Sequence, residues 1–210
     1  MLAAAIAWVL AVPLYFVTRW IGLVAHEGGH AIMGLALLRG ITSIRFTRGA
    51  GGSTGVVGAI WPLGILVAFG GYTGPSMFGL VAAWMLQQGR ADVVLWGSMI
   101  FLVLMLLVLE GFIGWLVVPV LIIVLYKIAT TADPGRELLL AHVWTWFLLI
   151  FAVQRMIVYL RHKHYEQPAS DTMRLRKYTF LPSIFWAAIM LAVTIFALGW
   201  GGAILLGINF

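Results

Sequence analysis

Long apolar runs, separated by short polar turns, fill most of this 210-residue sequence. The runs at 93–112, 138–159 and 180–206 each approach or exceed the length of about 20 residues that an α-helix needs to cross a bilayer. Because the lipid interior offers no water, a backbone there must satisfy its own hydrogen bonds, which favours helices. With 63% hydrophobic and 10% charged residues, the composition also excludes an ordinary soluble domain. We therefore expect an all-α polytopic membrane protein, one domain over residues 1–210, with about six or seven transmembrane helices.

Basic residues give the chain a formal net charge of +6, but they lie in short segments between the apolar runs. This placement indicates orientation in a lipid bilayer and not binding to nucleic acid. The longest polar segment, at about 161–177, is predicted to be a cytoplasmic loop by the positive-inside rule. Its basic residues are Arg161, Lys163, Arg174, Arg176 and Lys177.

Two histidines four residues apart stand out in the apolar stretch 20–36, within His26-Glu27-Gly28-Gly29-His30. On a helix, His26 and His30 lie on one face and can direct two imidazoles at a single Zn²⁺. Glu27 would stand beside the metal as a general base for a zinc-bound water. A polar cluster that only satisfies itself is the alternative, but ionisable groups at membrane depth cost roughly 2.5–3.5 kcal/mol each. The pattern therefore predicts a zinc site.

A catalytic zinc normally has three protein ligands and one open position, so the histidine pair needs a partner. We expect this third ligand to be Asp133, which precedes the apolar run 138–159. Asp followed by Pro is also an ordinary signature for the start of a helix, and Glu137 and His142 remain alternative ligands. Because the chain contains no cysteine, thiolate ligation is excluded.

A β-hairpin is predicted at about 41–57, directly after the metal-binding helix. Residues 41–47 and 53–57 alternate with a period of two, and glycine-rich sequence at 49–52 joins them. An exposed strand edge beside a metal site would hold an extended peptide by strand addition, whereas a plain connecting hairpin would have no such role. Both interpretations stay open at the level of sequence.

One arginine, Arg155, lies inside the apolar run 138–159. A cation at that depth is expected to pair with a carboxylate or to extend its side chain to the interface.

Taken together, these motifs resemble the site-2-protease class of intramembrane zinc metallopeptidases, and within it the compact bacterial branch. The similarity lies in H-E-x-x-H on an early helix, a glycine-rich hairpin, Gly-Tyr-x-Gly-Pro-Ser at 71–76, and an Asp ahead of a Trp-containing helix. The resemblance implies that His26, His30 and Asp133 hold zinc, and that Glu27 acts as general base and acid. It also implies a multi-pass protein of the bacterial cytoplasmic membrane that takes part in regulated intramembrane proteolysis.

The function we expect is therefore that of a zinc-dependent endopeptidase that cleaves a transmembrane protein or peptide, by attack of zinc-bound water. A catalytically inactive scaffold of the same fold is the first alternative. Many members of the class carry an Asn-Pro-Asp-Gly-like motif, and this chain has only Asp-Pro-Gly at 133–135. A metal transporter is the second alternative, although it would need more polar residues along a path. Substrate and oligomeric state are not determined by the sequence.

Overall fold

The computed structural model of the chain describes residues 1–47 and 51–208. Eight α-helices make up most of this part of the chain: α1 (Leu2–Ala11), α2 (Tyr15–Ala36), α3 (Leu63–Gln87), α4 (Ala91–Leu106), α5 (Phe112–Thr131), α6 (Pro134–Arg161), α7 (Asp171–Thr179) and α8 (Ser183–Leu205). Three short strands complete it: β1 (Ile41–Thr47), β2 (Gly51–Val56) and β3 (Leu109–Glu110). The predicted all-α polytopic fold with a small β-hairpin is confirmed.

Four of the helices in the described part, α3, α5, α6 and α8, are long and apolar enough to cross a membrane. A fifth span is formed if α1 and α2, which meet at a bend of 98°, are counted together, whereas α4 is shorter. The number is below the six or seven that the apolar runs predict. One reason is that α3 continues through the glycines and proline at 70–75, which are residue types that ordinarily interrupt a helix.

Close contact between α2 and α3 explains why glycine is tolerated inside these helices. A Cβ at Gly29 would overlap the carbonyl oxygen of Gly70 and come within 2.8 Å of the Gly74 Cα atom. Small residues of this kind allow helix backbones to approach closely in a membrane protein. Every residue of α2 from Gly22 to Ala31 is consequently buried.

The hairpin is confirmed, with β1 and β2 antiparallel. Sequence analysis did not predict β3, which runs parallel to β1 on its other edge. Arg45 of β1 and Glu110 of β3 lie opposite each other and are exposed. Their side chains form an ion pair between the two strands, with an Nη2 to Oε2 distance of 2.6 Å. The predicted connection of the hairpin includes Gly49 and Ala50, which lie outside the described residues.

The polar segment 161–177 contains helical structure where the sequence predicts a loop. A short 3₁₀ helix, His164–Glu166, is followed by α7, whose first turn is capped by the Ser170 side chain accepting from the Met173 backbone N–H at 3.3 Å. Leu175 is fully buried in a cluster with residues of α3, α6 and α8. This packing, together with the cap, explains why a charged nine-residue stretch is helical.

Candidate metal centre

The face of α2 that points toward α7 carries His26 and His30, each with 5% of its surface exposed. Their ring centroids are 5.0 Å apart. His30 Nδ1 lies 2.7 Å from the carbonyl oxygen of Val67 on α3. A carbonyl can only accept, so Nδ1 carries the proton and leaves the lone pair of Nε2 for a ligand, as is usual for metal-binding histidines.

The carboxylate that meets these histidines is Asp171, the first residue of α7. Its Oδ2 lies 3.3 Å from His30 Nε2 and 3.5 Å from His26 Nε2. One ligand atom from each of the three residues lies within 4.8 Å of the other two. When Nε2 of each histidine carries a proton instead of a metal ion, burial by itself raises the pKa of the Asp171 carboxyl, but the charge of His30 and hydrogen bonds from both histidines bring it well below the usual range. A cation bound in place of those protons would lower this pKa in the same way. Asp171 is therefore an ionised, buried oxygen donor.

Asp133 is placed elsewhere, at the start of α6. The Asp133 side chain is 57% exposed. It accepts a hydrogen bond from the backbone N–H of Arg136 at 3.0 Å and also pairs with the Arg136 guanidinium. The Asp-Pro sequence thus acts as a helix start, which is the alternative that the sequence left open. The geometry does not support Asp133 as the partner of His26 and His30.

The other two candidate ligands, Glu137 and His142, also lie on α6. Glu137 lies in its first turn. His142 directs Nδ1 to the carbonyl oxygen of Leu138 at 2.8 Å. Neither joins the histidine pair in the described part of the chain.

Sequence analysis missed Asp171 although it is one of only three aspartates in the chain. A usable signal was present in Ser170-Asp171, since Ser before an acidic residue is a common helix start. Helical spacing also places Asp171, Thr172 and Leu175 on one face, and all three are buried.

Glu27, the residue after His26, is 1% exposed and lies beside the three donors. Its Oε2 accepts a hydrogen bond of 2.7 Å from the Thr54 hydroxyl of β2, while Oε1 lies 3.8 Å from His26 Nε2. A Cβ at Gly52 would overlap the Glu27 carboxylate, so glycine leaves room for this carboxylate where β2 crosses it. The hairpin thus positions Glu27 with one oxygen free.

We call His26, Glu27, His30 and Asp171 the metal centre. They line a cavity of about 600 Å³ that also includes residues of β2, α3, α6 and α7. On α3, a Cβ at Gly71 would overlap His30 Nε2 and lie 2.9 Å from His26 Cε1, so glycine makes room for both rings. The cavity has the size of an ordinary small-molecule or peptide site.

The donor set fits a catalytic zinc ion. Two imidazole nitrogens and one carboxylate oxygen converge, and a cavity supplies room for a fourth position. The hydrogen bond from His30 to Val67 provides the outer partner that such ligands normally have. The Nδ1 of His26 is buried and has no hydrogen-bond partner among the described residues.

Comparison with known proteins gives one family. The model of the Peptidase M50B-like family matches residues 1–201, nearly the whole chain. Neither the curated proteins nor the solved structures give a match to this chain. The extent of the family match, taken with the H-E-x-x-H helix, confirms the resemblance that the sequence predicted. The chain belongs to the Peptidase M50B-like family, which is a site-2-protease-type family of intramembrane metallopeptidases.

Proposed function

We propose that this protein is a zinc-dependent intramembrane endopeptidase that cleaves a transmembrane protein or peptide. The observation that carries the proposal is the convergence of His26, His30 and Asp171, with Glu27 beside them, in a cavity of a membrane protein of a metallopeptidase family. The resemblance to the compact bacterial branch supports placing the protein in a bacterial cytoplasmic membrane.

The zinc ligands in this proposal are His26, His30 and Asp171. A bound zinc ion supplies Lewis acidity, which polarises a peptide carbonyl and lowers the pKa of water toward neutrality. The two imidazoles would bind the ion through Nε2, and all three side chains are buried.

Glu27 handles the protons of the reaction. Its Oε1, which is not engaged by Thr54, takes a proton from the attacking water as the water oxygen bonds to the carbonyl carbon. The same oxygen then gives this proton to the amine nitrogen as the C–N bond breaks. Both protons of the water are accounted for, one on the new amine and one on the new carboxyl group.

A substrate helix must unwind locally before it can be cut, because the carbonyl of a helical peptide bond is already hydrogen-bonded and hidden by side chains. Residues 51–54 of β2 line the cavity next to Glu27, so an unwound segment would lie along this strand. This position of β2 supports the first of the two roles considered from sequence, in which the hairpin holds an extended peptide.

The proposal is tested by metal analysis and peptide cleavage on the full chain purified in detergent. We expect about one zinc per chain and cleavage of a hydrophobic transmembrane peptide, both lost with a chelator and restored by added zinc. A chain that binds no zinc after reconstitution contradicts the proposal. Stoichiometric zinc without cleavage of any transmembrane peptide tested supports the inactive scaffold instead.

Thr54→Val tests whether the hairpin positions Glu27. The change keeps the shape of the side chain and removes the hydroxyl that holds Oε2. Because a hydrogen bond to a charged group contributes about 1.5–3 kcal/mol, we expect kcat/KM for peptide cleavage to fall about 10- to 100-fold with zinc content unchanged. Thr54→Ser should restore most of the rate. The control is Thr42→Val, at an exposed position of β1, which should leave the rate of cleavage unchanged. Equal rates for Thr54→Val and Thr42→Val would contradict a role of Thr54 in positioning Glu27.

A further inference from the structure

Three arginines line the cavity of the metal centre. Arg19 comes from α2, Arg155 from α6 and Arg174 from α7. Arg19 and Arg155 are partly buried, and Arg174 is exposed. Three arginine side chains therefore border one cavity.

None of the three has a carboxylate partner within the described residues 1–47 and 51–208. The Nε atoms of Arg19 and Arg155 are buried and, in the same part of the chain, lack a hydrogen-bond partner. Each guanidinium carbon lies over an aromatic ring, Arg155 at 5.6 Å from the Tyr72 centroid and Arg19 at 5.7 Å from the Trp20 centroid. Of the two expectations for Arg155, pairing with a carboxylate is thus not found in that part of the chain.

This arrangement leaves the cavity positively charged. Its two carboxylates are already engaged, Glu27 by Thr54 and Asp171 by the histidines. Three guanidinium groups outnumber them, and a divalent cation in the centre would add to the excess. Cations kept in membrane-spanning helices without a partner are costly, and contact with a ring face offsets only part of that cost. An anion bound in the cavity would offset this charge.

We propose that Arg155, assisted by Arg19, forms a carboxylate-binding subsite that selects substrates with a carboxylate close to the scissile bond. The carboxylate is either the side chain of an Asp or Glu or the free C-terminus of the peptide. A guanidinium is suited to it because two parallel N–H groups can donate to both oxygens. This inference deepens the proposed function and rests on it.

The position of Tyr72 sets the distance between this subsite and the metal centre. Its ring contacts both, at 5.6 Å from the Arg155 guanidinium carbon and 4.5 Å from the centroid of the His26 ring, so the two sites are at most about the sum of these distances apart. An extended peptide advances about 3.3–3.6 Å per residue. The selected carboxylate therefore belongs to a residue no more than about three positions from the bond that is cut.

Peptide binding to the full chain carrying Glu27→Gln tests the subsite without cleavage. The probes are a blocked hydrophobic hexapeptide amide with one central Glu, the same peptide with Gln, and the Gln peptide with a free C-terminus. We expect at least one of the two carboxylate peptides to bind about 10- to 100-fold more tightly than the neutral peptide, with or without zinc. Which of the two does so identifies the source of the carboxylate.

Arg155→Gln should abolish this preference, and Arg155→Lys should retain part of it. The matched control is Arg161→Gln, because Arg161 is exposed at the end of the same helix and does not line the cavity; it should leave the preference intact. If Arg155→Gln is too unstable to purify, the Arg155→Lys and Arg19→Gln proteins carry the test, and an undiminished preference in both contradicts the subsite.

Equal affinity for all three peptides, including no measurable affinity for any, overturns the proposal. So does a preference that disappears when zinc is removed, since the carboxylate would then bind the metal. A third result also overturns it. If Arg155→Gln, in a chain that keeps Glu27, cleaves the Glu and Gln peptides equally slowly and binds both as the wild type does, then Arg155 stabilises charge that develops during the reaction. In each case, cleavage of neutral peptides by the wild-type chain would leave the proposed peptidase function intact.

Discussion

Glu27→Gln is expected to abolish peptide cleavage while leaving the zinc content at the wild-type level. The carboxamide keeps the size of the side chain and can still accept from Thr54, but it cannot take a proton from water. General acid–base catalysis contributes typically 10²- to 10⁴-fold, and we expect a fall of about that size. The measurement is single-turnover cleavage of a transmembrane peptide, with zinc determined on the same preparation.

The control for this change is Glu166→Gln, an exposed glutamate that does not line the cavity. It should cleave at the wild-type rate. Cleavage by Glu27→Gln within a few-fold of wild type contradicts the role of Glu27 as the base. Loss of zinc together with activity would instead make Glu27 a contributor to metal binding.

Asp171→Ala is expected to lose zinc, whereas Asp133→Ala keeps it. Asp171 provides the only carboxylate grouped with His26 and His30 in the described residues. Loss of an outer-shell partner alone costs 10- to 100-fold in metal affinity, so removal of a direct ligand should cost more than about 100-fold. The measurement is the zinc dissociation constant by competition with a chromogenic chelator.

Asp133→Ala serves as the matched control, because it removes an aspartate that caps α6 on the exposed surface. It should lower stability by about 1 kcal/mol, the usual cost of losing a helix cap, with zinc affinity unchanged. Asp171→Asn, which keeps the size of the side chain, guards against a folding defect in the alanine variant. Zinc loss in Asp133→Ala but not in the Asp171 variants would contradict the ligand assignment and restore the prediction from sequence.

The histidine pair was predictable because its geometry is local. His26 and His30 are four residues apart, and any helix through them places both on one face. The identity of the third ligand depends instead on α7 packing against α3, a long-range contact that the local helix-start signal at Ser170-Asp171 does not predict. Asp133 has the sequence context of a helix cap and serves as one.

The helix count differs from expectation for a similar reason. Glycine and proline at 70–75 ordinarily interrupt a helix, but here they lie in α3, where the glycines allow the backbone of α2 to approach. Strand β3 has only two residues, Leu109 and Glu110, and pairs with residues of β1 that lie far earlier in the chain, Ile44 and Arg45. So short an element cannot be distinguished by periodicity from the apolar sequence around it.

The order in which the chain is made has a consequence for when it becomes active. His26, Glu27 and His30 belong to α2, but Asp171 belongs to α7, and four helices separate the two. During synthesis the histidines therefore enter the membrane long before their carboxylate partner exists. The zinc site we propose cannot be completed until α7 has emerged and packed. If the proposed function holds, the nascent chain would have no peptidase activity until α7 is in place, so that neighbouring membrane proteins would not be cut during insertion.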